Sequence, residues 1–140
     1  MPTSPEITPK VRAFLEGRLA ATIATTGTDG VPHVAAIWYR LEPDGRILVN
    51  SRVGRRWPTN LGDQPRCAFS FIDQADWNRW VAVEAVVDQV VTGAAAHEDI
   101  VALSVRYDEA SPESEAAFRS QERITYLLRP VAVSDQLGDA

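Results

Sequence analysis

Between Leu19 and Val91 the chain is mostly built of short runs of small, β-branched or apolar residues, separated by turn residues. That is how strands joined by tight connections read. Leu19 to Thr26 is one such run, and Gly27-Thr28-Asp29-Gly30 after it supplies the φ > 0 positions of a hairpin. A second strand is expected from Val31 to Leu41. It carries His33, Ala35, Ile37 and Tyr39 on one face and Val34, Ala36, Trp38 and Arg40 on the other. Glu42-Pro43-Asp44-Gly45 reads as a type I turn, and Arg46 to Ser51 as strand three. Arg66 to Ile72, with Cys67, Phe69 and Phe71 sharing a face, predicts strand four, and the valine-rich run Trp80 to Val91 predicts strand five.

Three segments change period. Thr8-Pro9 gives an N-cap and a first-turn proline, and Val11, Phe14 and Leu15 follow at helical spacing. Ala96, Ile100, Leu103 and Tyr107 place a second amphipathic helix over Ala94 to Tyr107, with Glu98 and Asp99 in its early turns. Ser111-Pro112 caps a further helix containing Phe118. Arg123 to Val133 is the sixth strand, and Pro130 within it predicts an edge. The sum is a mainly β fold: a six-stranded antiparallel barrel with peripheral α-helices. We expect one domain, residues 1–140, with a core over about residues 8–133 and a mobile tail, residues 134–140.

Charge narrows the partners. A net charge of −5 disfavours nucleic acid, which needs a basic face. With one cysteine, Cys67, no intrachain disulfide can form, and Met1 to Glu6 does not read as a secretory signal. No apolar run reaches the ~20 residues of a membrane helix, so the expected location is the cytoplasm. Motifs for metal, thiol and hydrolase chemistry (HExxH, CxxC, GxSxG) and for nucleotide loops are absent. His33 reads as a hydrogen-bonded structural histidine, His97 as a solvated helix residue and Cys67 as a small core residue.

One segment reverses the charge of its surroundings. Ser51-Arg52-Val53-Gly54-Arg55-Arg56-Trp57-Pro58-Thr59-Asn60 gathers three of thirteen arginines just after strand three. Guanidinium groups bind phosphate or carboxylate bidentately, and each charged hydrogen bond contributes roughly 1.5–3 kcal/mol. The same arginines would equally serve as a solvated turn paired with Asp63, where surface pairs contribute about 0–1 kcal/mol. Trp57, Trp77 and Trp80 sit in or beside loops, as walls of a pocket for a flat ring do, or as plugs of a barrel end.

In order, ATIATTGTDGVPHVAAIWYRLEPDGRILVNS, GRRWPTNLGDQPRCAFSFID and WNRWVAVEAVV resemble the pyridoxamine 5'-phosphate oxidase-like flavin-binding split barrels. They are most similar to the short branch that uses the deazaflavin coenzyme F420. The resemblance runs from about Leu19 to Val87 and returns weakly at Arg123 to Val133. It implies a six-stranded antiparallel split β-barrel whose cofactor lies in a groove at a homodimer interface. Ser51, Arg52, Arg55, Arg56 and Asn60 would hold its phosphate. Val34, Ala35, Ala36, Ile37 and Trp38 would face its ring, while Trp77 and Arg79 would close the pocket, from this chain or from a partner subunit. Trp57 stands where many relatives carry lysine, which moves the phosphate load to Arg55 or Arg56.

The implied activity is hydride transfer from reduced F420 to a small unsaturated organic substrate. No catalytic residue is identified, and proton delivery falls to solvent, Tyr39 or His33. FMN is the alternative cofactor, in an oxidase or reductase of the same fold. Outside enzymes the rivals are a non-catalytic flavin- or haem-binding module and an OB-like single-strand binder, which the acidic composition disfavours. Vitamin B6 oxidation is disfavoured because the longer C-terminal region of those enzymes has no counterpart here.

Overall fold

A computed structural model describes residues 7–138. The reading of Met1 to Glu6 and the end of the expected tail, Asp139 and Ala140, lie outside the described residues. Helix α1 (Pro9–Leu15) is capped by Thr8, whose hydroxyl accepts from the Val11 N–H. Strands β1 (Ala20–Thr26), β2 (Pro32–Ile37), β3 (Arg40–Leu41) and β4 (Ile47–Arg52) follow, then helix α2 (Arg56–Asp63). Strands β5 (Arg66–Ile72) and β6 (Trp80–Thr92) precede helices α3 (Ala94–Arg106) and α4 (Pro112–Arg119), and β7 (Arg123–Gln136) comes last. All strand pairings are antiparallel, in one sheet ordered β2-β1-β5-β6-β7-β4-β3.

The expected six strands are therefore seven, and the sheet is not closed. The segment Val31 to Leu41 divides because its two halves pair with different neighbours, β2 with β1 and β3 with β4. Only Trp38 and Tyr39 join these two edge strands. Three extended Cα steps span at most roughly 11 Å, so the sheet must curl until its edges nearly meet. The curl encloses the larger core, in which Ile23, Tyr39, Ile47, Val49, Phe71, Val81 and Leu128 are fully buried. Tyr39 fixes the bend by donating its hydroxyl to the carbonyls of Leu15 and Gly17, each at 2.8 Å.

The last strand also departs from expectation. β7 lies inside the sheet between β6 and β4, and Pro130 pairs opposite Ala85 at a bulge. The missing proline N–H falls where the ladder is already interrupted, so no edge is required. Nor does the chain leave the fold at Ser134: β7 continues to Gln136, and Leu137 is buried in the core. His97 is half-buried rather than solvated, and its Nε2 donates to the Gln121 carbonyl at 2.7 Å.

Opposite the main core, α3 and α4 cover the outer face of β4 and β7. Leu48, Ile100, Leu103 and Leu127 form a second small core there, with Trp38 and Phe118 against it. Ser111 caps α4 through a reciprocal bond pair with Ser114. Half of the sheet's outer face is thus covered and half is open, and the boundary between the halves is a groove. No helix among the described residues is long and apolar enough to cross a membrane.

Candidate functional site

The groove has a volume of about 610 Å³ and three distinct walls. Its floor comes from outward positions of the sheet, Ala20 and Thr22 on β1, Ala36 on β2, and Ser70 and Ile72 on β5. These are mostly small, because strand alternation sends the large residues Ile23, Phe69 and Phe71 to the core face. Thr22 and Ser70 share a 2.6 Å hydrogen bond across the β1–β5 pair. The side wall is aromatic: Trp38 stacks on Tyr107, with centroids 5.5 Å apart and planes 12° from parallel, and Phe118 and Ile100 extend it.

The third wall is cationic. Ser51 and Arg52 end β4, Arg55 follows in the turn to α2, and Arg123 begins β7 directly opposite Arg52. Gly54, at φ 99°, adopts a left-handed conformation open to glycine, which lets the chain turn from β4 into α2. The bond from the Val53 N–H to the Glu122 carbonyl, 2.8 Å, ties this turn to the start of β7. Helix α2 is fixed from below. Trp57 is buried against Tyr126, whose hydroxyl donates to the Pro58 carbonyl at 2.9 Å.

In a chain of net charge −5, the groove lining holds, among the described residues, three arginines and no carboxylate. Among the described residues, Arg52, Arg55 and Arg123 form no ion pair. Burial, with the positive charges of Arg55 and Arg52 nearby, lowers the Arg123 pKa to about 10. The polar end thus has unbalanced positive charge, and the opposite end has a flat slot with hydroxyls. Such a shape takes a ligand with a planar ring and an anionic tail.

The residues named from sequence are distributed as follows. Ala36, Ile37, Trp38, Ser51, Arg52, Arg55 and Trp57 line the groove. Val34 lies on the outer face of β2, 63% exposed, and Ala35 packs against the main core. Arg56 is exposed and pairs with Asp29 at 3.7 Å. Asn60 is buried, donates to the Thr25 hydroxyl at 3.1 Å and packs on Gly27, where a Cβ would come within 2.5 Å of its Oδ1. Trp77 is 81% exposed on the loop after β5. Arg79 donates to the Leu137 carbonyl at 3.0 Å and sits over the Phe14 ring, away from the groove of its own chain.

Of the two side chains considered for proton delivery, Tyr39 is fully buried with its hydroxyl committed to two carbonyls, and burial raises its pKa. His33 is half-buried near the start of β2 and does not line the groove. Burial pushes the Cys67 thiol up to about 12, in keeping with a structural residue. Sequence reasoning missed Arg123, Tyr107 and Phe118 as groove residues. Tyr107 was visible only as a helix-face residue, and Arg123 only as a strand start.

The curled, unclosed antiparallel sheet is the framework of a split-barrel protein. The family described as pyridoxamine 5'-phosphate oxidase matches residues 7–135, and the chain belongs to that family. Among solved structures, one described as an F420 reductase is 27% identical with a TM-score of 0.78, over 88% of this chain and 94% of that one. A conserved hypothetical protein of Mycobacterium tuberculosis is 25% identical with a TM-score of 0.73, over 91% of this chain and 82% of that one. The haem storage protein HutZ of Vibrio cholerae shares the fold, at 16% identity and a TM-score of 0.68, over 95% of this chain and 97% of that one. No curated protein matches the chain.

Proposed function

We propose that this protein is an oxidoreductase that binds the deazaflavin coenzyme F420 in the groove and reduces a small unsaturated organic substrate. The observation that carries this reading is the charge of the lining, three arginines with no carboxylate beside a flat slot. When bound, the reduced deazaflavin supplies the hydride equivalent. Arg52, Arg55 and the Ser51 hydroxyl hold the phosphate end, and Ala36, Ile37 and Trp38 lie along the ring. The small floor residues let the ring approach the β1 and β5 backbones, and the Trp38–Tyr107 stack excludes water from one side. Similarity to a protein described as an F420 reductase favours the deazaflavin. FMN, with the same flat ring and anionic tail, is the second reading.

The same reading places a second copy of the chain over the open half of the outer face, where Val34 is exposed beside the groove floor. Sedimentation of the purified protein as a dimer supports that assembly, and a monomer at micromolar concentration rejects it.

Fluorescence titration of the purified chain with F420 and, separately, with FMN tests the cofactor. Tight FMN binding with no response to F420 would make FMN the cofactor. Arg55→Ala is expected to weaken binding at least about tenfold, the loss of one charged hydrogen bond. Unchanged affinity in that variant rejects the phosphate assignment.

A further inference from the structure

We infer that Arg123 is a third, fixed anion-binding residue of the groove, and that it sets the ligand's charge: an anionic end bearing at least two negative charges. The inference rests on the reading of the groove as an anionic-cofactor site and names a residue that reading does not require.

Arg123 is only 9% exposed, yet everything that holds it is neutral. Its Nε donates to Asn50 Oδ1 at 3.0 Å and its Nη1 to Gln121 Oε1 at 2.8 Å, while its guanidinium lies 5.2 Å from the centroid of the Phe118 ring. The Asn50 amide cannot turn away, because its Nδ2 donates to the Ala96 carbonyl at 2.9 Å and to Thr125 Oγ1 at 2.8 Å. Thr125 in turn donates to Asp99 Oδ2 at 2.8 Å. Three side chains in series, Asp99, Thr125 and Asn50, therefore aim one guanidinium, and the only carboxylate in the series is separated from it by the other two.

The remaining nitrogen, Nη2, makes no hydrogen bond among the described residues. Because no fully buried side-chain nitrogen or oxygen lacks a partner there, Nη2 is not fully buried, and Arg123 is one of the residues that line the groove. Arg123 also faces Arg52 directly in the β4–β7 register, with Arg55 near enough to repel it. Like charges opposite one another across a ladder destabilise a sheet, and a buried cation without a counter-ion costs more. A fold that keeps such a cluster aligned, and keeps carboxylates out of it, leaves the compensation to a ligand. One negative charge would leave two of three cations uncompensated. A phosphomonoester dianion, or a phosphodiester continued by carboxylates, would not.

Gln121→Glu puts a carboxylate on Arg123 at the site of its present neutral acceptor, at a half-exposed turn, without removing the arginine. Calorimetric titration of the full chain compares inorganic pyrophosphate, the monoanion dimethyl phosphate, F420, FMN and riboflavin. Wild-type protein should bind pyrophosphate and a phosphorylated cofactor, and dimethyl phosphate at least about tenfold more weakly. Gln121→Glu and Arg123→Gln should each weaken the polyanions about tenfold or more, and leave riboflavin within about twofold. Polyanion affinity unchanged in both variants, with Arg55→Ala impaired, overturns the role of Arg123 and spares the cofactor reading. Dimethyl phosphate binding as well as pyrophosphate overturns the charge requirement. Pyrophosphate binding that depends on Arg123, without binding of either cofactor, upholds the anion site and removes the cofactor reading. Failure to bind any anion removes both.

Discussion

Among the described residues, two cavities of similar size are each lined by three arginines, the groove at about 610 Å³ and another at about 670 Å³ lined by Arg12, Arg46 and Arg129 with Ile7 and Pro130. In the second cavity two of the three cations, Arg46 and Arg129, are answered by carboxylates of the chain, and Arg12 donates to the Pro43 carbonyl at 3.4 Å. Arg46 Nε lies 2.9 Å from Asp44 and its Nη1 3.2 Å from Asp88, whose other oxygen is 3.8 Å from Arg129. In the groove Arg52, Arg55 and Arg123 have no such partner among the described residues. Arginine number is equal in the two places and therefore says nothing about ligands. What separates them is where the carboxylates are.

The cavities differ also in their floors, and Ala36→Leu tests that difference with the largest effect expected here. Ala36 is exposed on the outer face of an edge strand, so a larger apolar residue has room there and costs little stability. It would, however, fill part of the slot in which the ring lies. Affinity for F420 or FMN should fall about tenfold, a loss comparable to burying roughly two fewer ring-sized carbons. Riboflavin should lose as much, because the effect is steric and independent of charge. A variant that loses phosphorylated cofactors alone would show that the floor does not carry the ring.

A smaller effect is expected from Arg56→Ala. Arg55 and Arg56 are neighbours in sequence but belong to the two different situations, Arg55 unpaired in the groove and Arg56 exposed and paired with Asp29 at 3.7 Å. Titration of Arg56→Ala should show a change below about threefold, from long-range attraction alone. A loss equal to that of Arg55→Ala would mean that Arg56 leaves Asp29 for the ligand, and the contrast between paired and unpaired cations would fail at this position.

These contrasts also show what the sequence can and cannot reveal. The hairpin glycines are legible because their chemistry is local: Gly30 and Gly45 have φ of 73° and 92° in the turns expected of them. The caps Thr8 and Ser111 and the alternation on β5 are legible for the same reason. The break at Trp38–Tyr39 is not, because the alternation continues unbroken while the hydrogen-bonding partner changes from β1 to β4. Pro130 misleads because a proline N–H missing at a bulge looks, in sequence, like one missing at an edge. In the site, the arginines after β4 are a local cluster and visible. Arg123 is aimed by Asn50, 73 residues earlier in the chain, and no local pattern announces it.

The smallest effect is the most informative about specificity. Asp88→Asn removes the carboxylate that Arg46 and Arg129 share in the second cavity and leaves Arg46 with Asp44 and the Gln89 side-chain oxygen as partners. These groups are at the surface, so their pairing is screened by water and salt, and the thermal midpoint should move by no more than about 3 °C. Unmasking them makes the second cavity more like the groove in charge but gives it neither a flat slot nor a stacked aromatic wall. Pyrophosphate should then gain at most a weak second site, whereas F420 and FMN affinity should stay within about twofold of wild type. If Asp88→Asn instead created a second cofactor site of comparable strength, unpaired arginine charge alone would suffice for binding, and the floor and aromatic wall of the groove would have no part in selecting the ligand.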